Sequence, residues 1–253
     1  MKITLGLCLS AILITIISIY LLKPIPQLET YHHFADQRNW LGIPNIWNVL
    51  SNSAIALPGI WGLFLLLKPS RILFYDHRER WIWIGVSLGL ILTAIGSTYY
   101  HLVPENSSLL WDRVPMVFTF MSLVAALIGE RINIALGLYL WPILLGIGFY
   151  SVWIWYVSEL NGVSDLSFYV GIQVFTSLMI VVMLLTPSRY THKWFLAAVL
   201  ISYGLAVLGD AYDHQINTFF NGVISGHTLK HVAVGFAGAF LIGMIGTRKR
   251  EDI

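Results

Sequence analysis

Long apolar runs separated by short polar connections dominate the hydrophobic pattern of the chain. A helix needs roughly 20 apolar residues to cross the hydrocarbon core of a bilayer, and eight runs reach about this length. They are residues 3–22, 46–67, 81–102, 110–129, 135–156, 167–186, 193–210 and 224–246. The runs carry too little period-2 alternation for barrel strands. The pattern predicts an all-α integral membrane protein with a seven-helix transmembrane core and an additional N-terminal transmembrane helix, which makes eight spans.

The first apolar run begins with a basic residue and could be either a signal peptide or an uncleaved anchor. We favour an anchor, because the run is long and no A-x-A-like cleavage site follows it. The predicted organisation is an anchor or signal-like segment at 1–25, a seven-helix membrane domain at 26–246 and a basic cytoplasmic tail at 247–253. Functional groups are therefore expected within the bundle or at its rims.

Composition agrees with this class and excludes a soluble domain. Hydrophobic residues make up 57% of the chain and charged residues only 11%, whereas about a quarter of the residues of soluble proteins are charged. Cys8 is the only cysteine, so a metal would have to be bound by His and carboxylate side chains. Nucleic acid binding has no support, and no obligate protein partner is evident.

Basic residues are distributed unevenly between the two sides that alternating spans define. Eleven of the fifteen lie in the loops and helix ends of one side: Lys2, Lys68, Arg71, Arg78, Arg80, Arg131, Arg189, Lys193, Arg248, Lys249 and Arg250. Lys23 belongs to the other side. The positive-inside rule makes the first side the cytoplasm, with a cytoplasmic C-terminus. The short loops favour a bacterial inner membrane over the endoplasmic reticulum or Golgi.

Three polar segments meet on the non-cytoplasmic side if each span crosses once. They are GSTYYH (96–101) at the end of the third span, WDR (111–113) at the start of the fourth, and SGHTLKH (225–231) at the start of the eighth. Ser97 and His101 are four residues apart, as are His227 and His231. Each pair therefore shares one helical face. Span counting thus gathers several polar side chains at one depth.

This set of residues predicts a catalytic zinc site. Three neutral histidines that leave a fourth position open are a typical ligand set of catalytic zinc, which assigns His101, His227 and His231 as ligands. Zinc lowers the pKa of a bound water from about 15.7 to about 7. Asp112 is then a candidate general base for the water, and Ser97 a candidate donor to an oxyanion or to the water. An H-x-x-x-H pair alone would more often be structural; the combination favours a site.

Residues around the candidate site receive simpler interpretations. Asp112 is expected in the first turn of a helix that Ser107 or Ser108 caps. Lys230 points roughly 100° away from its neighbour His231, which favours snorkelling or a backbone partner over catalysis. Most carboxylates on the same side, including Asp210 and Asp213, are expected to add solubility only. His214 is expected to be solvated, although it could line an entrance.

The same residues resemble a known group of membrane proteins. The set S-x-x-x-H, then D, then H-x-x-x-H in the last span is similar to the superfamily of alkaline ceramidases, adiponectin-type receptors and GPI-remodelling hydrolases. The stretches IWNVLSN (46–52) and GSTYYHLVPENSSLLWDR (96–113) resemble the alkaline ceramidase branch in particular. The resemblance covers about residues 30–246. It implies zinc held by His101, His227 and His231, water deprotonated by Asp112, help from Ser97 at the carbonyl, and cleavage of the ceramide amide.

The resemblance also implies a calcium site. Eukaryotic alkaline ceramidases carry an acidic cluster before the W-N element, with glutamate where this chain has Asn45. Here the segment FADQRNWLGIPNIWN offers Asp36, Asn39 and Asn45 as oxygen ligands. One carboxylate is a weak ligand set for a hard dication, so calcium is a secondary expectation behind zinc.

Several functions are compatible with this pattern. The one favoured is a zinc-dependent hydrolase that acts on a carbon–nitrogen bond other than a peptide bond, with ceramide or a related N-acyl membrane lipid as substrate. An ester or GPI-lipid hydrolase of the same superfamily is the strongest rival, followed by a lipid receptor in which zinc is structural. A transporter would place polar groups along a path through the bilayer, whereas these cluster at one end. The H-E-x-x-H motif of site-2 type metalloproteases is absent.

Overall fold

The computed structural model describes residues 2–21, 24–68 and 74–251. Its elements, in order, are α1 (Lys2–Leu21), the 3₁₀ helix Glu29–His32, α2 (Ile46–Ser51), α3 (Ser53–Leu67), α4 (Glu79–Leu102), α5 (Asn106–Arg131), α6 (Ile134–Leu160), α7 (Ser167–Leu185), α8 (Phe195–Ala211), α9 (Asp213–Phe219) and α10 (Gly226–Thr247). The described part contains isolated bridges but no strand, so the all-α prediction is confirmed. Lys23, Arg71 and the last two residues of the predicted tail lie outside the described residues.

Seven stretches of helix are long and apolar enough to cross a membrane, which supports a multi-pass membrane protein. They are α1, the combined stretch Ile46–Leu67 formed by α2 and α3, and α4, α5, α6, α7 and α10. The predicted span at 193–210 corresponds to α8, which has only 17 residues. It reaches the required length only together with α9, and the two are bent by 85°. An eighth span is therefore not confirmed.

The helices from α3 onwards pack side by side around a common interior. Each of α3, α4, α5 and α6 packs against the next helix in the chain, and α10 lies between α8 and α3. The contact between α8 and α7 is much slighter than that between α8 and α10. Helix α1 packs against α7. The bundle is therefore tight on most sides and looser between α7 and α8.

Small residues set the close approach of several helix pairs, as is common where helices associate in lipid. At Gly96 of α4, an added Cβ would meet the carbonyl oxygen of Trp111 in α5. At Gly235 of α10, it would meet the backbone of Ala54 in α3. The first contact holds the end of α4 against the start of α5, where the predicted catalytic residues lie.

Helix α5 begins earlier than predicted. Its N-cap is Glu105, whose side chain accepts from the backbone of Ser108 while the Ser108 hydroxyl accepts from the Glu105 backbone. The prediction that Ser107 or Ser108 is the cap is therefore wrong, although Ser108 completes the reciprocal pair. Because the helix starts at Asn106, Asp112 lies in its second turn and not in its first.

Charged residues at the far end of the bundle form a buried cluster. Arg248 pairs with Glu130 and lies 3.6 Å from Glu79. Glu130 also accepts from the indole of Trp83, and Glu79 accepts from the hydroxyl of Tyr190. Glu79 opens α4 and His101 lies near its other end, so this cluster and the histidines occupy opposite ends of the bundle.

Close packing at Gly235 predicts a measurable loss of stability on substitution. In Gly235→Ala the new Cβ has to displace the backbone of α3, so we expect the free energy of unfolding to fall by about 1–3 kcal/mol. Thermal or denaturant unfolding in detergent measures it. Gly204→Ala is the control, because nothing lies within 4 Å of a Cβ there, and it should stabilise the protein by up to about 1 kcal/mol because Ala is the better helix former. Equal effects would contradict this account of the packing.

Candidate metal centre and its cavity

Three histidines from two helices meet inside the bundle, as predicted. His101 lies in the last turn of α4, and His227 and His231 lie in the first turns of α10. All three are buried, at 0%, 3% and 2% exposure. One ring nitrogen of each lies within 4.8 Å of the others. This group could hold a metal ion.

Hydrogen bonds decide which nitrogen each ring presents. The Nδ1 of His227 lies 2.9 Å from Asp210 Oδ1, and the Nδ1 of His231 lies 2.8 Å from Ser51 Oγ. Their Nε2 atoms are therefore left for the centre of the group. The Nε2 atoms of His101 and His231 are 3.3 Å apart, close to the roughly 3.4 Å expected between two nitrogens that bind a tetrahedral zinc at about 2.0–2.1 Å. Three imidazoles and this one spacing are compatible with zinc, and the group as a whole could hold a metal ion.

Helix α2 supports two of these histidines. The carbonyl oxygen of Asn48 lies 3.1 Å from His231 Nδ1, beside the Ser51 hydroxyl. The side chain of Asn48 accepts from Thr228 of α10, at 2.8 Å. Asn45, in the left-handed conformation that Asn tolerates, donates to the His101 carbonyl oxygen at 2.9 Å. Asn48 and Ser51 of the stretch IWNVLSN (46–52) therefore orient the imidazole of His231, and Asn45, just before it, holds the backbone of His101.

Asp210 of α8 is a functional residue that the sequence prediction missed. Besides His227, it binds Lys230 Nζ at 2.9 Å and lies 3.4 Å from the Tyr31 hydroxyl. Burial, more than the nearby Asp210 carboxylate, raises the pKa of Tyr31 well above its ordinary value, so the phenol stays protonated and donates. The expectation that Asp210 only adds solubility is wrong. The expectation that Lys230 snorkels or binds a backbone group is also wrong, because its partner is the Asp210 side chain.

Asp213 and Phe34 close the group from the loop side. Asp213, the first residue of α9, accepts from the backbone N–H groups of His227 and Ala35, at 2.8 and 2.9 Å. It thereby ties the start of α10 to the loop before α2. The ring of Phe34 packs edge-on against His101 and His227, with centroids 4.6 and 4.8 Å apart. The aromatic ring shields these imidazoles, and Asp213 is another carboxylate whose predicted role was wrong.

Asp112 and Ser97 lie beside the histidines in a shared cavity. Both are buried, and both line the same cavity as His231. The Ser97 hydroxyl can donate a hydrogen bond to the Asp112 carboxylate. The structure thus places a carboxylate and a hydroxyl on the wall next to the candidate metal ligands.

The cavity has a volume of about 530 Å³ and is bounded by α3, α4, α5, α7, α8, α10 and the segment around the 3₁₀ helix. Its apolar lining includes Leu28, Met116, Leu166, Val170 and Val207. Val207 on α8 is exposed at the surface of the bundle, where α7 and α8 are only loosely packed. An elongated apolar chain could therefore enter from the side.

The residues predicted to bind calcium all have partners within the protein. Asp36 is buried, and its two oxygens accept from Arg38 Nε at 2.5 Å and from the backbone N–H of Trp47 at 2.8 Å. Asn39 accepts from the backbone of Gly42, and Asn45 binds the carbonyl of His101. These contacts give Asp36 a structural role at the start of α2. Calcium at these residues stays a prediction.

The other histidines contribute nothing to the cavity wall. His214 is exposed and lies 2.9 Å from the His33 carbonyl oxygen, and it does not line the cavity. His77 is exposed near the start of α4, at the other end of the bundle. His214 is thus solvent-exposed, as expected, and it is not part of the cavity wall.

Comparison with known proteins adds no family assignment. No protein-family model matches the chain, and no curated protein matches it. The functional argument therefore depends on the geometry of the site and on the residue pattern.

Proposed function

We propose that the chain is a zinc-dependent membrane hydrolase that cleaves the amide bond of ceramide or a related N-acyl lipid. The observation that carries this proposal is the convergence of three buried imidazoles beside a cavity whose wall bears a carboxylate. A structural metal would need no such cavity. The reaction takes up one water and gives a free fatty acid and a sphingoid-type amine.

His101, His227 and His231 would hold the zinc through Nε2. Zinc supplies Lewis acidity, which polarises the scissile carbonyl and acidifies water. Asp210 and Ser51 fix the two imidazoles of α10 through their Nδ1 atoms. Such outer partners set the tautomer and orientation of the ligand rings. A three-histidine set leaves one position for the reacting group.

Asp112 is the proton carrier of the proposed reaction. Its carboxylate takes a proton from the attacking water and delivers a proton to the nitrogen that leaves as the C–N bond breaks, which balances the hydrolysis. The Ser97 hydroxyl can bind either this carboxylate or the carbonyl oxygen of the substrate. A donor at the carbonyl stabilises the negative charge that develops there.

A lipid substrate suits the lining of the cavity. Val170 of α7 and Val207 of α8 could contact an acyl chain, Gln173 and Tyr203 are hydrogen-bonded to each other between the same two helices, and Ser97, Asp112 and His231 supply polar groups at the start of α10. We further propose that α8 and α9 complete an eighth span and that the site faces the non-cytoplasmic side. Arg78, Arg131 and Arg248 support this orientation, since they lie at the opposite end of the bundle from the histidines.

An amide is favoured over other bonds because the order of Ser97, His101, Asp112, His227 and His231 along the chain resembles that in the alkaline ceramidases. The same groups could also serve an ester, so an ester of matched chain length belongs in the assay. The resemblance and the geometry are independent supports: one concerns residue order along the chain, and the other concerns distances across helices.

Loss of one ligand and loss of the base should have different effects. In His231→Ala we expect bound zinc, measured by mass spectrometry of the purified protein, and N-acyl lipid hydrolysis both to disappear. In Asp112→Asn we expect zinc to remain while kcat falls by about 10²–10⁴-fold, because a positioned general base is lost. Release of labelled fatty acid from ceramide measures the rate.

His77→Ala is the matched control for this pair, because His77 is exposed at the other end of the bundle. It should keep both zinc and activity. A zinc-loaded wild-type protein that cleaves neither N-acyl lipids nor the matched ester would show that the hydrolase proposal is wrong.

Asp210 is expected to tune the metal site without binding the metal. In Asp210→Asn the partner of His227 loses its charge, so we expect zinc affinity to fall by about 10–100-fold. Competition with a chelator of known affinity measures this. Lys230 loses its counter-ion in the same variant, so Lys230→Met should be measured beside it. Asp76→Asn, which alters an exposed ion pair with Arg78, is the control; wild-type affinity in Asp210→Asn would contradict the assigned role.

A further inference from the structure

Arg113 is a buried cation that the proposed reaction does not use. It follows Asp112 on α5, is 5% exposed, and lines the same cavity as Asp112, Ser97 and His231.

The contacts of Arg113 leave part of its guanidinium free. One nitrogen, Nη2, donates to the side chain of Gln27, at 2.5 Å. The guanidinium also stacks over the rings of Trp155 and Tyr169, with its carbon 4.0 and 4.9 Å from the ring centroids. Nη1 is buried and has no hydrogen-bond partner. A neutral amide and two aromatic rings therefore surround a full positive charge.

Other basic residues of the interior are paired differently. Arg248 pairs with Glu130, and Lys230 pairs with Asp210. Among the described residues, no carboxylate oxygen lies within 4.0 Å of the Arg113 guanidinium. The Asp112 carboxylate acts on Arg113 electrostatically from farther away, and a buried charge without a direct ion pair is costly. Cation–π contact offsets only part of that cost, so the arrangement is suited to receiving an anion.

The surroundings of Arg113 indicate what kind of anion fits. Leu28, Met116 and Leu166 line the same cavity beside polar residues that include Gln27, so a molecule with both an apolar chain and a polar group fits near the guanidinium. Arginine's planar fork of donors matches a carboxylate or a phosphate. We propose that Arg113 binds an anionic group of the substrate, a carboxylate or a phosphate, and that the preferred substrates are acidic N-acyl lipids, in contrast to neutral ceramide. This inference rests on the proposed hydrolase function and specifies its substrate class.

A matched set of amides tests the inference directly. N-palmitoylserine and N-palmitoylethanolamine share the acyl chain and the amide and differ by one carboxylate. The phosphate ester of N-palmitoylethanolamine adds a phosphate instead. For the wild-type protein we expect a kcat/KM at least about tenfold higher for an anionic amide than for the neutral one, since charge-assisted hydrogen bonds to arginine are strong. The better anionic amide identifies the group.

Arg113→Gln should remove this preference mainly by raising KM for the anionic amide, because the lost contact binds a part of the lipid that does not react. Arg113→Lys keeps the positive charge but loses the two parallel donors of the guanidinium, so its preference for the anionic amide should be intermediate. If Arg113→Gln does not fold, this variant alone tests the inference. Arg78→Gln, at an exposed arginine of the other end, should behave as wild type. An unchanged preference in both Arg113 variants, or a wild-type preference for the neutral amide, would overturn the inference.

Binding without turnover separates this inference from the hydrolase proposal. His231→Ala and the double variant His231→Ala/Arg113→Gln are compared for equilibrium binding of radiolabelled N-palmitoylserine and N-palmitoylethanolamine. Preferential binding of the acid that Arg113→Gln abolishes supports the inference, even if no protein hydrolyses any amide. If neutral amides are cleaved and binding of the acid is unchanged by Arg113→Gln, the hydrolase proposal is supported and the proposed acidic substrate class is wrong.

Discussion

Buried polar groups in this bundle have to find their partners within the protein, because a bilayer offers no water to satisfy them. At one end, Arg248 pairs with Glu130 and lies close to Glu79. At the other end, Asp210 joins Lys230 and His227. The imidazoles of His227 and His231 take part through Nδ1, and the Nε2 atoms of His101 and His231 face each other. Pairing of these two Nδ1 atoms thus shapes the candidate metal centre, in which a bound cation could join the remaining ring nitrogens.

Helices α8 and α9, which do not form one straight span, both supply residues that contact the candidate metal centre. Helix α8 ends at Ala211, and the chain turns by 85° into α9. This bend lets Asp210 reach His227 from the side while Asp213 caps the backbone of the same residue. The close approach of Gly209 to Gly226 makes room for both contacts.

Much of the site could be predicted from the sequence, because its ligands obey local rules. The spacing of His227 and His231, with the counting of spans, was enough to bring them to His101. Asp210 was missed because its importance depends on a contact between helices, for which one sequence gives no signal. Lys230 was misjudged for another reason. Its backbone direction is about 100° from that of His231, but a long flexible side chain reaches a carboxylate on the neighbouring helix.

Two consecutive residues of α5 carry the two proposals. Asp112 and Arg113 both line one cavity, although consecutive residues of a helix point about 100° apart. The arginine side chain extends to the rings of Trp155 and Tyr169, so the anionic group of a bound lipid would lie beside these rings while its amide lies near Asp112. The same helix therefore carries both the proposed proton carrier and the proposed partner of the anion.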